Sequence, residues 1–310
     1  MNDRSFLIVD NPVAGRGRGG RLAGAVGELL RGRGFGCTMR STSARGEAER
    51  IAADAVAEHR GDSSLCVVAC GGDGTVHEVA NALAHAGSEA CMMGLAPAGR
   101  CNDFARALGV GKTCEQIVEV LANGSPRAVD LGLVGERYFC TVAAMGFDAA
   151  VSRYVNEMRM PLQGPAAYVY GTLQVLMRYR TPILNLSGDF GEYQGPGFMA
   201  ASANTPWYGG AMKIAPDASA FDGQVDLCLV TDVTRRRVPG MLYRVIRGTH
   251  TGLPEVRMMR TRRLVARAAG AGTATEIWAD GEAIGDLPAV IESAPGAIRV
   301  VLPQETATGR

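Results

Sequence analysis

Leu65-Cys-Val-Val-Ala-Cys-Gly-Gly-Asp-Gly-Thr75 (LCVVACGGDGT, residues 65–75) is the stretch that decides the fold. It begins with an unbroken apolar run, which is typical of a strand buried on both faces of a parallel sheet. The glycines that follow make a sharp loop. Thr75–Ala86 then carries apolar residues at helical spacing, and Thr75 and Glu78 predict a capping box at its start. A buried strand, a glycine loop and a helix in this order indicate one unit of an α/β sheet.

The same unit recurs through residues 1–128. Further strands are predicted at Ser5–Val9, Phe35–Arg40 and Met92–Ala96. Further helices are predicted at Arg21–Arg31 and Glu47–His59, and a third is capped by Thr113 and Gln116. Strands that alternate with helices predict a mostly parallel sheet with helices on both faces.

After Pro126 the pattern changes, and residues 129–295 read as a second, β-rich domain. Short apolar runs separated by turn residues predict an antiparallel sandwich or barrel. The runs are Val129–Val134, Tyr138–Ala144, Gly197–Ala203, Val225–Val230, Arg263–Ala268, Thr275–Ala279 and Ala297–Leu302. A helix near Ala166–Arg178 and a basic helix near Val238–Arg247 are predicted to interrupt them.

Composition excludes several classes of protein. The 310 residues carry a net charge of +1, so no overall field draws the chain onto nucleic acid or an anionic membrane. The eight cysteines include no C-x-x-C pair, which argues against a zinc site. The N-terminal apolar run is too short for a signal peptide, and no run approaches the roughly 18 residues of a membrane span. A reduced, cytoplasmic protein is therefore expected, with only transient contact with a membrane surface if its substrate is a lipid.

Three glycine-containing loops follow predicted strands of the first domain, at 11–15, 71–75 and 97–106. Ligands of open α/β sheets bind at the carboxyl ends of strands, where these loops lie. Backbone N–H groups of Gly71–Thr75 and the start of the next helix suit phosphate. An acidic residue in such a nest would repel phosphate unless a cation lay between them, so Asp73 is predicted to lie near Mg²⁺-nucleotide. The alternative is a tight turn in which Asp73 is a local cap.

One motif points elsewhere. Gly15-x-Gly17-x-x-Gly20 follows a strand and precedes a helix, as in dinucleotide-binding proteins. The carboxylate expected about 20 residues further on is missing, because the second predicted strand ends in Met39-Arg40-Ser41. NAD-dependent oxidoreduction is therefore disfavoured.

Taken together, the motifs resemble the diacylglycerol kinase catalytic-domain family, and its bacterial soluble lipid kinases in particular, over nearly the whole chain. In the first domain they are Asn-Pro-x-x-Gly at 11–15, Gly-Gly-Asp-Gly-Thr at 71–75 and Asn-Asp-Phe-Ala-Arg at 102–106. In the second domain they are Asn204 with Gly209-Gly210, Ala215-Pro216-Asp217-Ala218 with Asp222-Gly223, and Asp280-Gly281-Glu282.

The resemblance implies a Rossmann-like, ATP-binding α/β domain, a β-sandwich domain and an active site in the cleft between them. It implies that the last strand, within 296–310, returns to the first domain. The nucleotide contacts that it implies are Asn11, Pro12, Val13, Ala14, Gly15, Thr42, Gly71, Gly72, Asp73, Gly74 and Thr75. The Mg²⁺ site that it implies is Asp222, with backbone oxygens of Ser219 and Gln224.

The resemblance also carries the family's acid/base motif to Asp280 and Glu282, one of which would accept the proton of a lipid hydroxyl, as phosphoryl transfer requires. By themselves these residues could equally be surface charges on an Asp-Gly hairpin. One departure stands out: where the family has Gly-Thr-x-Asn-Asp, this chain has Gly99-Arg100-Cys101-Asn102-Asp103. Arg100 would either bind nucleotide phosphate or crowd the pocket.

The expected function is ATP-dependent phosphorylation of a lipid hydroxyl, with diacylglycerol as the first candidate acceptor at a membrane surface. A sphingoid, phosphatidylglycerol or NAD kinase of the same superfamily is the nearest alternative. A catalytically weak lipid-binding regulator is an alternative of another class, and a homodimer is left open. Five arginines, Arg235, Arg236, Arg237, Arg244 and Arg247, would face anionic lipid or form a solvated helix face.

Overall fold

The structure is a computed structural model that describes residues 4–59, 64–157, 165–269 and 276–304. The chain divides into two compact units. Unit 1 comprises Met1–Leu131 with Pro295–Arg310, and unit 2 comprises Gly132–Ala294. Thr275 of one predicted strand and residues 305–310 of the predicted returning segment lie outside the described residues.

Unit 1 is an α/β layer structure, as the sequence predicts. Its elements in chain order are β1 (Ser5–Asp10), α1 (Ala14–Gly32), β2 (Gly36–Ser41), α2 (Glu47–Glu58), β3 (Leu65–Gly71), α3 (Asp73–Ala86), β4 (Met92–Pro97), α4 (Asp103–Ala107), α5 (Cys114–Asn123) and β5 (Ser125–Val134). The first four strands are parallel in the order β2-β1-β3-β4. This order places β1, β3 and β4, with the loops that follow them, side by side.

Alternation along the central strands explains why helices cover both faces. On β1, Phe6 and Ile8 join a buried cluster with residues of α1 and α5. Leu7 and Val9 are also buried, and because successive side chains point to opposite faces, they lie under α2, which packs on β1. A strand that helices cover on both faces buries all its side chains, so it must be apolar throughout. The apolar run at 65–70 is therefore a reliable sign of a central strand.

The predicted capping box at Thr75 and Glu78 is wrong. Helix α3 begins at Asp73, with Gly72 as an N-cap that makes no side-chain hydrogen bond. The Glu78 carboxylate instead accepts the backbone N–H groups of Gly46 and Ala48, both at 2.9 Å. The local pattern assigns the Glu78 carboxylate to the start of α3. In the structure this carboxylate instead binds two backbone N–H groups at the start of α2, far away in the sequence. The capping box at Thr113 is confirmed.

Unit 2 is built from two sheets and three helices. Its elements are β6 (Arg137–Phe139), β7 (Val142–Gly146), α6 (Phe147–Glu157), α7 (Pro165–Arg178), β8 (Ile183–Gly188), β9 (Gly191–Pro196), β10 (Met199–Ala203), β11 (Val225–Val230), α8 (Val238–Arg247), β12 (Val256–Thr261), β13 (Arg263–Ala269), β14 (Glu276–Ala279), β15 (Glu282–Asp286) and β16 (Ala289–Leu302). One sheet has the order β12-β11-β10-β7-β14-β15, and β16, β13, β8 and β9 are neighbours in the other. The predicted β-sandwich is confirmed, with Met145, Leu186 and Leu264 in the core between the sheets. Helices α6, α7 and α8 pack on the opposite face of the six-stranded sheet, where Phe147, Leu176 and Met241 share a second core.

Strand β16 passes from unit 2 into unit 1. Its first residues pair with β13, and Arg299 and Val300 pair in parallel with β4. At the bend between these parts Gly296 has φ +59°, and its N–H group donates to the buried Asp130 carboxylate at 2.7 Å. Asp130 thus anchors the bend.

Two general properties concern the setting of the protein. Within the described ranges, no helix combines the length and the hydropathy needed to cross a bilayer. All eight cysteines are free thiols. Burial raises the pKa of the Cys70 thiol to about 12, so this thiol stays protonated at neutral pH.

The returning strand sets a test of unit 1. A Cβ atom on Gly124 would lie 2.4 Å from the backbone oxygens of both Leu302 and Val120. We expect Gly124→Ala to lower the free energy of unfolding by about 1–3 kcal/mol, because backbone must move to admit the methyl group. Urea denaturation followed by circular dichroism measures the change.

Gly24→Ala is the matched control in the same unit. Gly24 lies inside α1, where an added Cβ meets no atom within 4 Å. This variant should gain about 0.5–1 kcal/mol, because alanine has less backbone entropy to lose. If Gly124→Ala were as stable as Gly24→Ala, the close approach of β16 would be wrong.

Candidate active site

Three loops meet at the carboxyl ends of the central strands of unit 1. We call them loop 1 (residues 11–15, after β1), loop 2 (residues 71–75, after β3) and loop 3 (residues 97–106, after β4). Backbone hydrogen bonds join them: Asn11 N–H donates to the Cys70 oxygen at 3.0 Å, and Ala98 N–H donates to the Gly71 oxygen at 2.8 Å. The structure therefore brings the predicted nucleotide residues of loops 1 and 2 together at one edge of the sheet.

Glycine is required where these loops touch. A Cβ on Gly15, whose φ is +58°, would lie 2.1 Å from the Ala98 oxygen, so only glycine lets loop 1 reach loop 3. A Cβ on Gly99 would lie 2.5 Å from the Gly72 Cα, so loops 2 and 3 also touch through backbone. The glycine pattern thus encodes close packing of the three loops.

Asp73 fixes the position of loop 3. Its Oδ2 accepts the Asn102 N–H group at 2.9 Å, and its Oδ1 accepts the Asp103 N–H group at 2.7 Å. Asn102 has φ +52°, and its side chain exchanges two hydrogen bonds with the Gly99 backbone, each 2.9 Å long. Charge-assisted bonds of this kind are among the stronger ones in proteins. The structure places Asp73 as a clamp between loops, whereas its contact with Mg²⁺-nucleotide stays a prediction.

Asp73, Cys101 and Asp103 bring their ligand atoms within 4.8 Å of one another, the spacing of a metal site. Their chemistry favours a structural role instead. Both Asp73 oxygens accept backbone N–H groups, and Asp103 Oδ1 lies 2.8 Å from Arg106 Nη2. Burial, followed by the Asp103 and Asp73 charges, raises the pKa of the Cys101 thiol to about 11.

Thr42 lies beside loop 1 because the ends of β1 and β2 are joined. Its N–H group donates to the Asp10 oxygen at 2.8 Å, and Ser41 Oγ donates to Asp10 Oδ1 at 2.8 Å. Asp10 is buried. Sequence reasoning missed it, although an acidic residue at the end of an apolar strand is itself a signal of a buried, satisfied carboxylate.

The remaining residues of loop 1 form a turn that leads into α1. Asn11 Oδ1 accepts the Val13 N–H group at 3.2 Å, and the Asn11 oxygen accepts that of Ala14 at 3.1 Å. Pro12 and Val13 are exposed. Arg100 in loop 3 is also exposed, and within the described part of the chain its side chain makes no hydrogen bond or ion pair. A cation beside the glycine loops suits phosphate.

In unit 2, Asp280 lies on a two-residue hairpin turn between β14 and β15. Asp280 and Gly281 have φ of +51° and +90°, as a type I′ turn requires. Asp280 is nevertheless no solvated surface charge. Its Oδ2 accepts the Cys140 N–H group at 2.6 Å, and its Oδ1 accepts both the N–H group, at 3.1 Å, and the hydroxyl group of Thr141. These donors explain why the predicted strand Tyr138–Ala144 is broken into β6 and β7.

Asn204 extends this arrangement. Its Nδ2 donates to the Cys140 oxygen at 2.9 Å, and its N–H group donates to the Thr141 oxygen at 2.8 Å. The structure thus brings the predicted motif residues Asp280 and Asn204 to the same two backbone units. Glu282, half-buried, is the first residue of β15 and pairs with Ala279 across the hairpin.

A carboxyl group that the sequence reasoning missed lies on α6. Burial raises the pKa of Asp148 to about 6, and the Tyr208 hydroxyl group, as its hydrogen-bond partner, partly opposes this shift. Burial, with the Asp148 charge second, raises the pKa of Tyr208 well above its usual range. Asp148 directly follows Phe147 and the buried strand β7, which ends at Gly146. This position just after an apolar run is its only signal in the sequence.

The predicted Mg²⁺ residues lie in the loop before β11. Asp222 Oδ1 accepts the Gln224 N–H group at 3.1 Å, and Asp222 also contacts the Arg260 guanidinium. This hydrogen bond uses the N–H group of Gln224, and Ser219 is half-buried in the same loop. Arg260, on β12, stands directly opposite Asp226 of β11.

Asp226 adds a buried carboxylate beside this loop. It is 5% exposed; its Oδ1 lies 3.2 Å from Arg260 Nε, and its Oδ2 is buried and accepts no hydrogen bond within the described residues. Burial raises the pKa of Asp226, Arg260 lowers it, and the Asp222 and Asp217 charges raise it again. Three carboxylates against one guanidinium leave two negative charges, and carboxylate oxygens are the ligands that Mg²⁺ prefers. Asp226 is a residue that the sequence reasoning missed, and the metal roles of Asp222, Ser219 and Gln224 stay predictions.

Comparisons with known proteins agree with this architecture. Residues 5–134 match the family model of the diacylglycerol kinase catalytic domain, and residues 141–302 match that of the YegS C-terminal NAD kinase beta sandwich-like domain. The chain is 31% identical over 313 residues to the "Probable lipid kinase YegS-like" of Pseudomonas fluorescens Pf-5, covering 99% of this chain and 98% of that protein. It is 30% identical over 301 residues to the diacylglycerol kinase of Mycobacterium tuberculosis H37Rv, covering 95% and 94%.

A solved structure shares the fold. The crystal structure of a diacylglycerol kinase from Bacillus anthracis str. Sterne superposes with a TM-score of 0.74 over 97% of this chain and 98% of that chain, at 20% sequence identity. Fold and matched domains together define a two-domain kinase. The chain belongs to the family of diacylglycerol kinases and YegS-like lipid kinases.

The Arg260 contact sets a test of the metal site. Arg260→Gln removes the guanidinium that competes with a cation for Asp222 and Asp226. We expect the thermal midpoint of this variant to rise with Mg²⁺ at concentrations about 10-fold lower than in the wild type, since a ligand that binds only the folded state stabilises it. Without Mg²⁺ the variant should be the less stable protein, because buried Asp226 loses its partner.

Arg263→Gln is the matched control, since Arg263 on β13 is exposed and pairs with exposed Glu292 at 2.9 Å. It should respond to Mg²⁺ as the wild type does. Identical Mg²⁺ responses in Arg260→Gln and the wild type would show that no cation binds at this loop.

Proposed function

We propose that this protein is an ATP-dependent lipid kinase that transfers the γ-phosphoryl group of ATP to a hydroxyl group of diacylglycerol. Family membership supports a kinase, and the relatives named above as diacylglycerol kinase support this acceptor. The single observation that carries the proposal is the Asp280 carboxylate, which a tight turn presents and three donors from Cys140 and Thr141 hold in one orientation. A surface charge on a hairpin turn would not need three hydrogen-bond donors to fix its orientation.

The nucleotide is assigned to loops 1, 2 and 3 of unit 1. Helix α3 begins at loop 2, and the first N–H groups of a helix lack partners in the helix, so they favour phosphate oxygens. Gly72 and Gly74 lack Cβ atoms, which lets phosphate approach the backbone, whereas the missing Cβ of Gly71 makes room for the Thr75 side chain. Arg100, exposed on loop 3, is positioned to add a charge-assisted contact. This assignment favours a supporting role for Arg100 over a blocking one.

Asp280 is assigned as the general base, with Glu282 as a neighbouring charge that helps to orient the acceptor. A general base must lie in a fixed position within hydrogen-bond reach of the proton that it removes. The donors of Cys140 and Thr141 supply that fixed position. Thr141 is therefore assigned as a positioning residue, since its hydroxyl group contacts Asp280.

Mg²⁺ bound with ATP would neutralise charge on the transferring phosphoryl group. The loop of Asp222 and Asp226 is assigned to a separate structural cation. Its residues lie on β11 and the segment before it, so a cation there would tie the loop to the β11-β12 pair. No step of the transfer is assigned to these two residues.

An acceptor panel with γ-labelled ATP tests the proposal. Diacylglycerol, a sphingoid base, phosphatidylglycerol and NAD are offered separately, and labelled product is separated by chromatography. The proposal expects label in phosphatidic acid, the product from diacylglycerol. Label in NADP alone, or in no product at all, would overturn it.

Amide variants of the acid/base motif test the assignment of roles. Asp280→Asn should lower kcat by about 10²–10⁴-fold, the usual worth of a general base, while the affinity for ATP changes little. Glu282→Gln should lose less. Thr141→Val, which removes one donor to Asp280, should lower kcat with an unchanged KM for ATP. Initial rates at varied ATP and saturating acceptor give kcat and the KM for ATP of all three variants.

Glu292→Gln is the control, since this exposed carboxylate on β16 pairs with Arg263. Because Asp280 also holds its hairpin to Cys140, thermal melting must show that each variant is folded. If Asp280→Asn lost activity only in proportion to its unfolded fraction, or if it kept the wild-type kcat, Asp280 would be a structural residue and not the base.

A further inference from the structure

Helix α7 presents a stripe of apolar side chains that the described part of the protein leaves exposed. Val169, Leu173 and Met177 are 62%, 53% and 69% exposed. Spaced four residues apart, they lie on one face of the helix. Leu176 of the same helix is buried in the core shared with α6 and α8. The helix is therefore held by one face and offers the other to a partner.

Helix α8 repeats this arrangement. Val238, Met241 and Val245 are buried at the spacing of a core-facing stripe. Leu242, Tyr243 and Ile246 are 41%, 63% and 45% exposed. The two helices together hold six of the eleven large apolar side chains that are exposed in the described part of the chain. Apolar side chains concentrated in this way mark an interaction surface.

The two helices are neighbours in unit 2. Both bury residues in the same core. Arg235, in the short 3-10 turn that leads into α8, donates from Nη2 to the backbone oxygen of Tyr179, one residue past the end of α7, at 3.4 Å. We call the exposed side chains of α7 and α8, with the arginines that flank them, the docking face.

The charge of this region has one sign. Residues 234–247 include five arginines, residues 165–180 include two, and neither segment contains an acidic residue. Arg237 is paired with Glu255, and the other arginines of the 3-10 turn and α8 are exposed. A chain with a net charge of +1 thus carries a local basic surface around its apolar stripes.

We propose that the docking face binds the surface of an anionic phospholipid bilayer, with the apolar side chains inserted among acyl chains and the arginines at the level of the headgroups. Apolar residues on one face, flanked by arginines, are the combination that lies in a membrane interface. The proposal rests on the proposed function for its purpose, since an acceptor such as diacylglycerol resides in a bilayer.

Charge complementarity selects this occupant over others. A second copy of the chain would bring basic face against basic face, and a neutral protein partner would leave the arginines unused. A nucleic acid would use the arginines but would leave Leu173, Leu242 and Ile246 exposed to water. An anionic lipid surface uses both features.

Sedimentation with vesicles, in the absence of ATP and acceptor, tests the proposal without requiring turnover. We expect the wild type to bind vesicles of phosphatidylglycerol and phosphatidylcholine, to bind pure phosphatidylcholine vesicles far more weakly, and to be released by high salt. Leu173→Ser with Leu242→Ser and Ile246→Ser should weaken binding at least about 10-fold, and Arg244→Gln with Arg247→Gln should abolish the preference for anionic vesicles.

The controls are Leu29→Ser, 43% exposed on α1, and Arg267→Gln, exposed on β13. Neither should change vesicle binding, and circular dichroism should show all variants folded. Equal binding by the wild type and the α7/α8 variants would overturn the proposal, as would equal binding to anionic and neutral vesicles. A mobility shift with DNA that the arginine variants lose, without vesicle binding, would overturn it in favour of nucleic acid.

Activity separates this proposal from the proposed function. With a short-chain diacylglycerol dispersed below its aggregation limit, the docking variants should keep the wild-type kcat, and with diacylglycerol in anionic vesicles they should lose activity in step with binding. A wild type that binds vesicles but phosphorylates no lipid would contradict the proposed function alone. Docking variants that lose activity toward the dispersed acceptor as much as toward vesicles would contradict the docking face alone.

Discussion

The candidate nucleotide site depends on one carboxylate that binds two backbone amides. Asp73 holds the N–H groups of Asn102 and Asp103, at 2.9 and 2.7 Å, and so joins the loops after β3 and β4. Without that carboxylate the left-handed conformation of Asn102 and the close approach of Gly99 to Gly72 would lose their anchor. Hydrogen bonds to a charged group are worth about 1.5–3 kcal/mol, enough to order a short loop. The position of the glycines, and hence of any phosphate that they bind, follows from this contact.

Unit 2 uses the same physical device at its own motif. Asp280 binds the successive N–H groups of Cys140 and Thr141, while Asn204 binds the oxygens of the same two residues. Asp280 and Asn204 therefore satisfy all four polar backbone groups of this segment, three through their side chains and the fourth through the Asn204 N–H group. In both units, the acidic residue of a motif that predicts ligand binding or catalysis accepts hydrogen bonds from backbone N–H groups and so fixes a loop. Catalysis, as proposed, uses the orientation that this holding provides.

Sequence reasoning succeeded where burial alone decides structure and missed what distant contacts decide. The apolar run before Gly71 and the Val225–Val230 run are strands because only a sheet interior accommodates them. The capping-box pattern gave the wrong result at Glu78, because its carboxylate binds the backbone N–H groups of Gly46 and Ala48, which lie 30 or more residues away in the sequence. Strand β9 was missed because a half-exposed, polar edge strand carries little apolar signal, and β8 was missed because only two of its residues, Leu184 and Leu186, are buried. Arg260 reaches Asp222 only through the register of β11 with β12, which no motif records.

Nucleotide binding by Asp73→Asn, measured calorimetrically with and without Mg²⁺, tests the central claim most directly. If Asp73 acts by holding loop 3, the amide should weaken ATP binding by the same factor in Mg²⁺ and in EDTA, and should lower the free energy of unfolding by about 1.5–3 kcal/mol. Asp54→Asn, which breaks only an exposed pair with Arg50, should change neither quantity measurably. A variant of wild-type stability that loses affinity only when Mg²⁺ is present would contradict the account, because Asp73 would then act on the metal and not on the loop.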